Sequence, residues 1–326
     1  MQQSPSLAGL YVPLITPFTD AGDLAVGALE DLAHAVIDDG AAGLVALGTT
    51  AEAPTLSVAE RRTVLDTCAR VGRSRGVALL AGAGSNDTVS TVAALRDLAA
   101  WPEVTAALTV VPYYTRPSQD GIVAHFTRAA AESPVPVIVY NVPYRTGVSL
   151  GWQTLHRLAA VPGIAGAKHT VGGIDHDTVM LMAALPEGFA VLAGDDMFAA
   201  PLLALGAAGG ILASAHVATS SFAKLIAAWR AGAAAEGREL GNRLTSLSAA
   251  LFAEPNPAVI KGVLHAQGRI PSPQVRLPLL PAGPESVRTA LDQARMADKL
   301  ASSHAARTRP PATAGVAENA APEGAV

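Results

Sequence analysis

Lys168 ends a run of small and apolar residues, Gly163-Ile164-Ala165-Gly166-Ala167, that begins after Pro162 and is followed by the turn-prone pair Gly172-Gly173. Such a run reads as a buried parallel strand with an amine at its C-terminal end. Burial disfavours an ammonium, and a desolvated lysine can stay neutral near pH 7 and attack a carbonyl to form a Schiff base. The chain holds only three other lysines, Lys224, Lys261 and Lys299, all in helix-like stretches of mixed polarity. The competing reading is a lysine that snorkels from a strand end into water. What decides between them is the company Lys168 keeps.

Eight short apolar segments recur along the chain: 9–17, 42–48, 77–82, 106–112, 135–141, 164–168, 189–194 and 209–214. Between them lie amphipathic stretches that read as helices, among them 26–39, 58–70, 88–100, 121–132, 151–160, 177–185 and 197–205. Ser57 three residues before Glu60 forms a capping box, and Asp87 stands before the helix that starts at Thr88. The strands are too continuously apolar to face water. Eight β-α units therefore predict a closed (β/α)8 TIM barrel over residues 7–218. From 219 to 300 the pattern is helical throughout and predicts a C-terminal helical domain, and residues 301–326, rich in Ala, Pro, Glu and Thr, read as a disordered tail.

A barrel carries its chemistry at the C-terminal ends of its strands. There the sequence places Thr49-Thr50 after strand two, Tyr113-Tyr114 after strand four, Tyr140 to Arg145 at and after strand five, Lys168 on strand six, and Gly194-Asp195-Asp196 after strand seven. A Schiff-base enzyme needs an amine, a proton shuttle and donors for a substrate carboxylate, and this ring of residues supplies all three. Taken singly, each has an ordinary structural use: the threonines can cap a helix, the tyrosines can pack the barrel top, and Arg145 can pair with a surface acid. Asp195-Asp196 lacks a further ligand at metal-binding spacing and reads as a helix cap. His169 alternates with Lys168 and points to the other side of the strand.

Half of the 326 residues are hydrophobic and 15% are charged, enough for a sizeable core. A net charge of -4 argues against nucleic acid or an anionic membrane as partner. Cys68 is the only cysteine, which excludes an intrachain disulfide and fits a reducing, cytoplasmic setting. The opening MQQSPSLAG has no basic segment followed by an apolar run, which predicts a protein that is not exported.

Six motifs together resemble the pyruvate-dependent class I aldolases of the dihydrodipicolinate synthase and N-acetylneuraminate lyase superfamily: GTTAE at 48–52, PYYTRPSQDG at 112–121, YNVPYRTG at 140–147, the strand-six lysine, GDD at 194–196, and EPNPAVIKGVL at 254–264 followed by SPQVRLPL. The resemblance spans about Leu7 to Pro281. It implies a TIM barrel with a C-terminal helical domain, assembled as a homotetramer, with no metal or organic cofactor. It implies that Lys168 forms the Schiff base with pyruvate and that Tyr140 is the acid/base, linked through Thr49 to Tyr114 of a neighbouring subunit. Thr50 is implied to hold the pyruvate carboxylate, Gly194 and Ile211 to line the pocket, and Arg145 to bind the carboxylate of an aldehyde substrate. Arg145 places the chain nearer the synthase branch, which condenses pyruvate with aspartate semialdehyde, than the sialic-acid lyases. A related aldolase or dehydratase acting on another aldehyde or a 2-keto-3-deoxy acid is the alternative, and a non-catalytic barrel that binds a small acid is a third.

The chain also departs from the synthase pattern. His169 stands where an acidic residue usually follows the lysine, which leaves the second substrate open, and Ala51 replaces a common glycine. Val58, Arg61 and Ser90 stand where lysine-inhibited members carry two histidines and a glutamate, which implies weak or absent feedback by lysine.

Overall fold

The structure is a computed structural model that describes residues 7–307, with side chains through Ala297. Eight parallel strands, β1 (Gly9–Pro13), β2 (Gly43–Ala46), β3 (Ala78–Gly82), β4 (Val104–Val110), β5 (Val137–Asn141), β6 (Ile164–His169), β7 (Ala190–Ala193) and β8 (Gly209–Ile211), close in sequence order into a barrel, with β8 pairing β1. Each strand is almost wholly buried, which is why it reads as a continuous apolar run. At the closing seam a side chain on Gly209 would put its Cβ 2.0 Å from the Gly9 carbonyl oxygen, so only glycine lets β8 and β1 approach this closely.

Between the strands run α1 (Val26–Asp38), α2 (Val58–Arg75), α3 (Thr88–Asp97), α4 (Gln119–Glu132), the single turn α5 (Pro143–Thr146), α6 (Trp152–Ala159), α7 (His176–Ala183) and α8 (Ala199–Ala204). The expected caps are present. Ser57 and Glu60 exchange hydrogen bonds at the start of α2, Gly76 closes that helix in the left-handed region, and Asp87 accepts the Ser90 N–H. Alternation along the strands divides the apolar residues into two sets. Tyr11, Val45, Leu80, Leu108, Ile138, Leu192 and Ile211 fill the barrel, while Leu44, Leu79, Val137, Val139 and Val191 face outward and pack under the helices.

α9 (Ala215–Arg230) packs on β1 and α1 and completes the helical ring. The boundary expected at 218/219 thus falls inside this helix, at the non-helical backbone of Ala218. α10 (Ala234–Leu251), α11 (Ala258–Ala266) and α12 (Pro284–Arg307) form the C-terminal helical region, with α10 and α11 both packed on α12 and on α9. α12 runs past the expected start of the tail, so residues 301–307 are helical; the rest of that expected tail, 308–326, lies outside the described residues. Among the described residues no helix is long and apolar enough to cross a membrane.

Candidate active site

β5 and β6 are paired so that Tyr140 is opposite Lys168. The lysine nitrogen lies 5.3 Å from the centre of the tyrosine ring, and the Tyr140 hydroxyl is 2.9 Å from Thr49 Oγ1, brought in by the 3-10 turn Thr49–Ala51 after β2. Burial pushes the Lys168 amine down to about 8, with Asp196 opposing the shift. Burial raises the Tyr140 phenol, and the Thr49 bond works against that rise. An amine poised near neutrality beside a protonated phenol is what imine chemistry requires: a nucleophile, and an acid for the departing hydroxide.

Gly194 is needed by the lysine stem itself. A Cβ there would stand 2.4 Å from Lys168 Cε and 2.2 Å from Thr170 Oγ1, so any side chain would displace the nucleophile.

A narrow recess of about 20 Å³ holds Lys168, Tyr140, Thr49, Thr50 and Ile211, and it opens into a chamber of about 460 Å³. Arg145, Tyr144, Gly194, Asp196 and Asn256 line both. The chamber is of the size that takes a small metabolite. Arg145 is carried by α5, its guanidinium 5.2 Å from the Tyr144 ring centre, and it makes no ion pair among the described residues. A cation left exposed at the mouth is suited to a substrate carboxylate.

Seven of the eight residues expected at the site, Lys168, Tyr140, Thr49, Thr50, Arg145, Gly194 and Ile211, line one continuous cavity. Tyr114 does not. It sits on the loop after β4 with φ +70 and is 88% exposed.

Two further contributions come from the helical region. Asn256 Nδ2 donates to Thr50 Oγ1 at 2.9 Å, which leaves the threonine proton free to point at a ligand. Glu52 ends the same turn in the left-handed region, φ +53, a conformation uncommon outside glycine. It is buried, and it accepts from Lys261 Nζ at 2.5 Å and from the Arg276 N–H at 2.7 Å, so α11 and the segment after it pin the catalytic turn. Lys261, which lies in a helix as its stretch of sequence predicts, is thus fully buried. Burial pushes it to about 8 as well, but its carboxylate partner and the Gln274 carbonyl occupy it. The EPNP-to-lysine motif was visible in the sequence, but its contact with a turn more than 200 residues away was not.

His169 is turned away from the cavity, as its alternation with Lys168 requires. Asn141 and Thr178 bond its two ring nitrogens, and Thr178 donates onward to Asp175. This chain ties β5, β6 and the start of α7 together behind the nucleophile. The cap position of the short turn after β7 falls to Asp195; Asp196 is the first residue of that turn, and its side chain accepts the Ser214 N–H at 2.5 Å.

A closed barrel with a buried strand-six lysine whose amine is pushed down to about 8 and which makes no ion pair among the described residues defines a class I aldolase-type lyase. The sequence profile of the Dihydrodipicolinate synthetase family matches residues 6–295, and the chain belongs to that family. A 4-hydroxy-tetrahydrodipicolinate synthase of Neisseria meningitidis serogroup B is 41% identical over 288 residues, covering 87% of this chain and 98% of the relative. The 4-hydroxy-tetrahydrodipicolinate synthase of Methylacidiphilum fumariolicum superposes with a TM-score of 0.86 at 32% identity, over 91% of this chain and 99% of that one. A dihydrodipicolinate synthase of Acinetobacter baumannii, solved as a complex with pyruvate, does so with a TM-score of 0.84 at 35% identity, over 89% and 99%.

Proposed function

We propose that the protein condenses pyruvate with aspartate semialdehyde to give 4-hydroxytetrahydrodipicolinate, the entry reaction of diaminopimelate and lysine biosynthesis. The observation that carries this reading is Lys168, its amine held near neutrality beside the Thr49–Tyr140 hydroxyl pair. The neutral amine adds to the keto carbon of pyruvate. Tyr140 gives a proton to the departing hydroxyl of the carbinolamine, and the imine then loses a methyl proton to become an enamine. Thr50, set by Asn256, holds the pyruvate carboxylate from the recess. Gly194 and Ile211 line that recess beside the amine, and Gly194 also lines the chamber that has room for the acid.

The enamine attacks the aldehyde carbon of the second substrate, whose carboxylate pairs with Arg145 at the mouth. The new amine then displaces Lys168, closing the ring and freeing the enzyme. No metal or organic cofactor takes part in these steps. Arg145 and the 41% identity to a synthase of this name support aspartate semialdehyde as the partner.

The assembly that goes with this reading is a homotetramer in which Tyr114 of the partner subunit extends the Thr49–Tyr140 relay. An aromatic ring left 88% exposed on a loop beside the barrel mouth supports it. The lone buried Cys68 and the biosynthetic role favour the cytoplasm. A coupled assay of pyruvate with aspartate semialdehyde, run beside other aldehydes, tests the reading. Preferential turnover of aspartate semialdehyde is expected; turnover confined to a different aldehyde refutes it.

A further inference from the structure

The chamber has walls of opposite charge. Arg145 stands in it together with the carboxylates of Asp195, Asp196 and Glu254. Two of these acids face backbone N–H groups: Glu254 accepts the Gly283 N–H at 2.9 Å, and the backbone of Met197 and Gly172 favours the charged form of Asp195. Asp196 differs. It is only 4% exposed, and it lines both the recess of Lys168 and the chamber of Arg145. Its Oδ2 accepts the Ser214 N–H, the Ser214 hydroxyl also favours the carboxylate, and Oδ1 makes no hydrogen bond among the described residues. A buried carboxylate oxygen left unpaired is costly, and the cost is recovered where a ligand donor meets it. The charged and titratable groups around it are Lys168 from β6, Asp195 beside it, Tyr140 from β5 and Arg145 from α5.

We propose that Asp196 is the catalytic base of the ring-closing half of the reaction, its free oxygen taking a proton from the ammonium of the second substrate. This rests on the reading of the site as that of a synthase condensing pyruvate with aspartate semialdehyde. With its carboxylate on Arg145 and its aldehyde at the enamine, a substrate bearing an amino group beside the carboxylate turns that group toward the acidic wall. The ammonium passes one proton to Asp196, and the freed lone pair forms a C–N bond to the protonated imine carbon while the C=N pair moves onto the Lys168 nitrogen. One proton then crosses from the new nitrogen to the Lys168 nitrogen, the old C–N bond breaks, and Lys168 leaves as a neutral amine. The ring nitrogen sheds its remaining proton to Lys168, and Asp196 returns its own to water. The acidic wall also selects the aldehyde: an amino acid is held at both ends, and an aldehyde without an amine only at Arg145.

Asp196→Asn keeps an oxygen for the Ser214 N–H and removes the base. Three reactions of the full chain separate the possibilities: borohydride trapping of pyruvate on Lys168, single-turnover formation of the aldol adduct with 4-oxobutanoate, and steady-state turnover with aspartate semialdehyde. In the variant, the first two are expected to persist, with pyruvate trapping levelling off at a lower pH because the carboxylate that favours the Lys168 ammonium is gone, while the third falls about 100-fold. The open-chain adduct of both substrates should then accumulate on Lys168 and be visible by mass after borohydride reduction. Pyruvate trapping reports that the variant is folded. The native enzyme gives an independent check: burial raises Asp196 to about 6, so when the pyruvate imine is formed first at about pH 8 and the pH is then dropped below about 6 as aspartate semialdehyde is added, the same adduct should persist on Lys168. Unchanged turnover with aspartate semialdehyde, or equal losses with both aldehydes, overturns the assignment of Asp196. Failure of the native enzyme to consume aspartate semialdehyde overturns the functional reading itself, and the role of Asp196 with it.

Discussion

Tyr140 and Lys168 are register partners on adjacent strands, and their side chains share one recess with the lysine nitrogen 5.3 Å from the tyrosine ring centre. Strand pairing fixes this relationship, so the phenol and the amine are positioned by the barrel itself. Only Thr49, the third member, arrives on a turn.

Tyr140→Phe should lower turnover about 100-fold or more while pyruvate is still slowly captured, because the ring stays and only the acid/base is lost. Thr49→Val, which removes the 2.9 Å contact to that hydroxyl, should give a smaller loss, about 10-fold. Steady-state kinetics beside borohydride trapping check both. Unchanged turnover in Tyr140→Phe removes Tyr140 from the mechanism.

Capture of pyruvate should rise with pH and level off above about 8. Burial lowers the Lys168 amine to about that value, so the ammonium dominates below it and the nucleophile above it. The initial rate of imine trapping across pH 6 to 10 measures this. A rate still climbing steadily toward pH 10 means that the amine is not shifted.

Gly194→Ala should abolish imine formation, since the added carbon would stand 2.4 Å from Lys168 Cε. Circular dichroism should show the barrel retained. Normal trapping of pyruvate in this variant contradicts the packing described around the lysine.

Glu52→Gln or Lys261→Met alone should destabilise the protein by about 3–5 kcal/mol, because each leaves one buried member of an ion pair without its partner. The two changes together should cost much less than their sum. Denaturant unfolding of the four proteins closes the cycle, and strict additivity contradicts a direct pair. Because Glu52 ends the turn that carries Thr49 and Thr50, the single variants should also raise KM for pyruvate.

His216 is fully buried, with Nε2 accepting the Ile15 N–H and Nδ1 donating to the Ala213 carbonyl, an arrangement only the neutral ring can make. Burial lowers it to about 4, below the roughly 6.5 of an unfolded histidine. Its contribution is therefore complete above about pH 6.5 and is lost as the pH falls toward 4, by about 3 kcal/mol in all. Thermal unfolding between pH 7 and 4 should fall less steeply in His216→Leu than in the native protein. Parallel curves rule out this histidine as a source of acid sensitivity.

The barrel was legible because strands buried on both faces are continuous apolar runs, and two of these runs, β5 and β6, end in polar residues that mark the mouth. Lys168 was legible for the same reason: a charged group closing such a run has to be explained. The single turn α5 and the 3-10 turn at Thr49 were not, since three or four residues carry no period. The burial of Lys261 was not legible, because helical spacing shows that a face exists without showing what covers it, and lysines are rarely buried. The pair Asp195-Asp196 reads as a cap, and Asp195 does stand at the cap position, whereas the Asp196 side chain reaches across to the backbone of Ser214. Asn256 meets Thr50 across 206 positions, a separation that no local pattern encodes.

Incubation with pyruvate and sodium borohydride, followed by peptide mass mapping, tests covalent catalysis most directly. A reduced pyruvate adduct confined to the Lys168 peptide, with matching loss of activity, is the expected result. An unmodified Lys168 in a protein that still consumes pyruvate contradicts it.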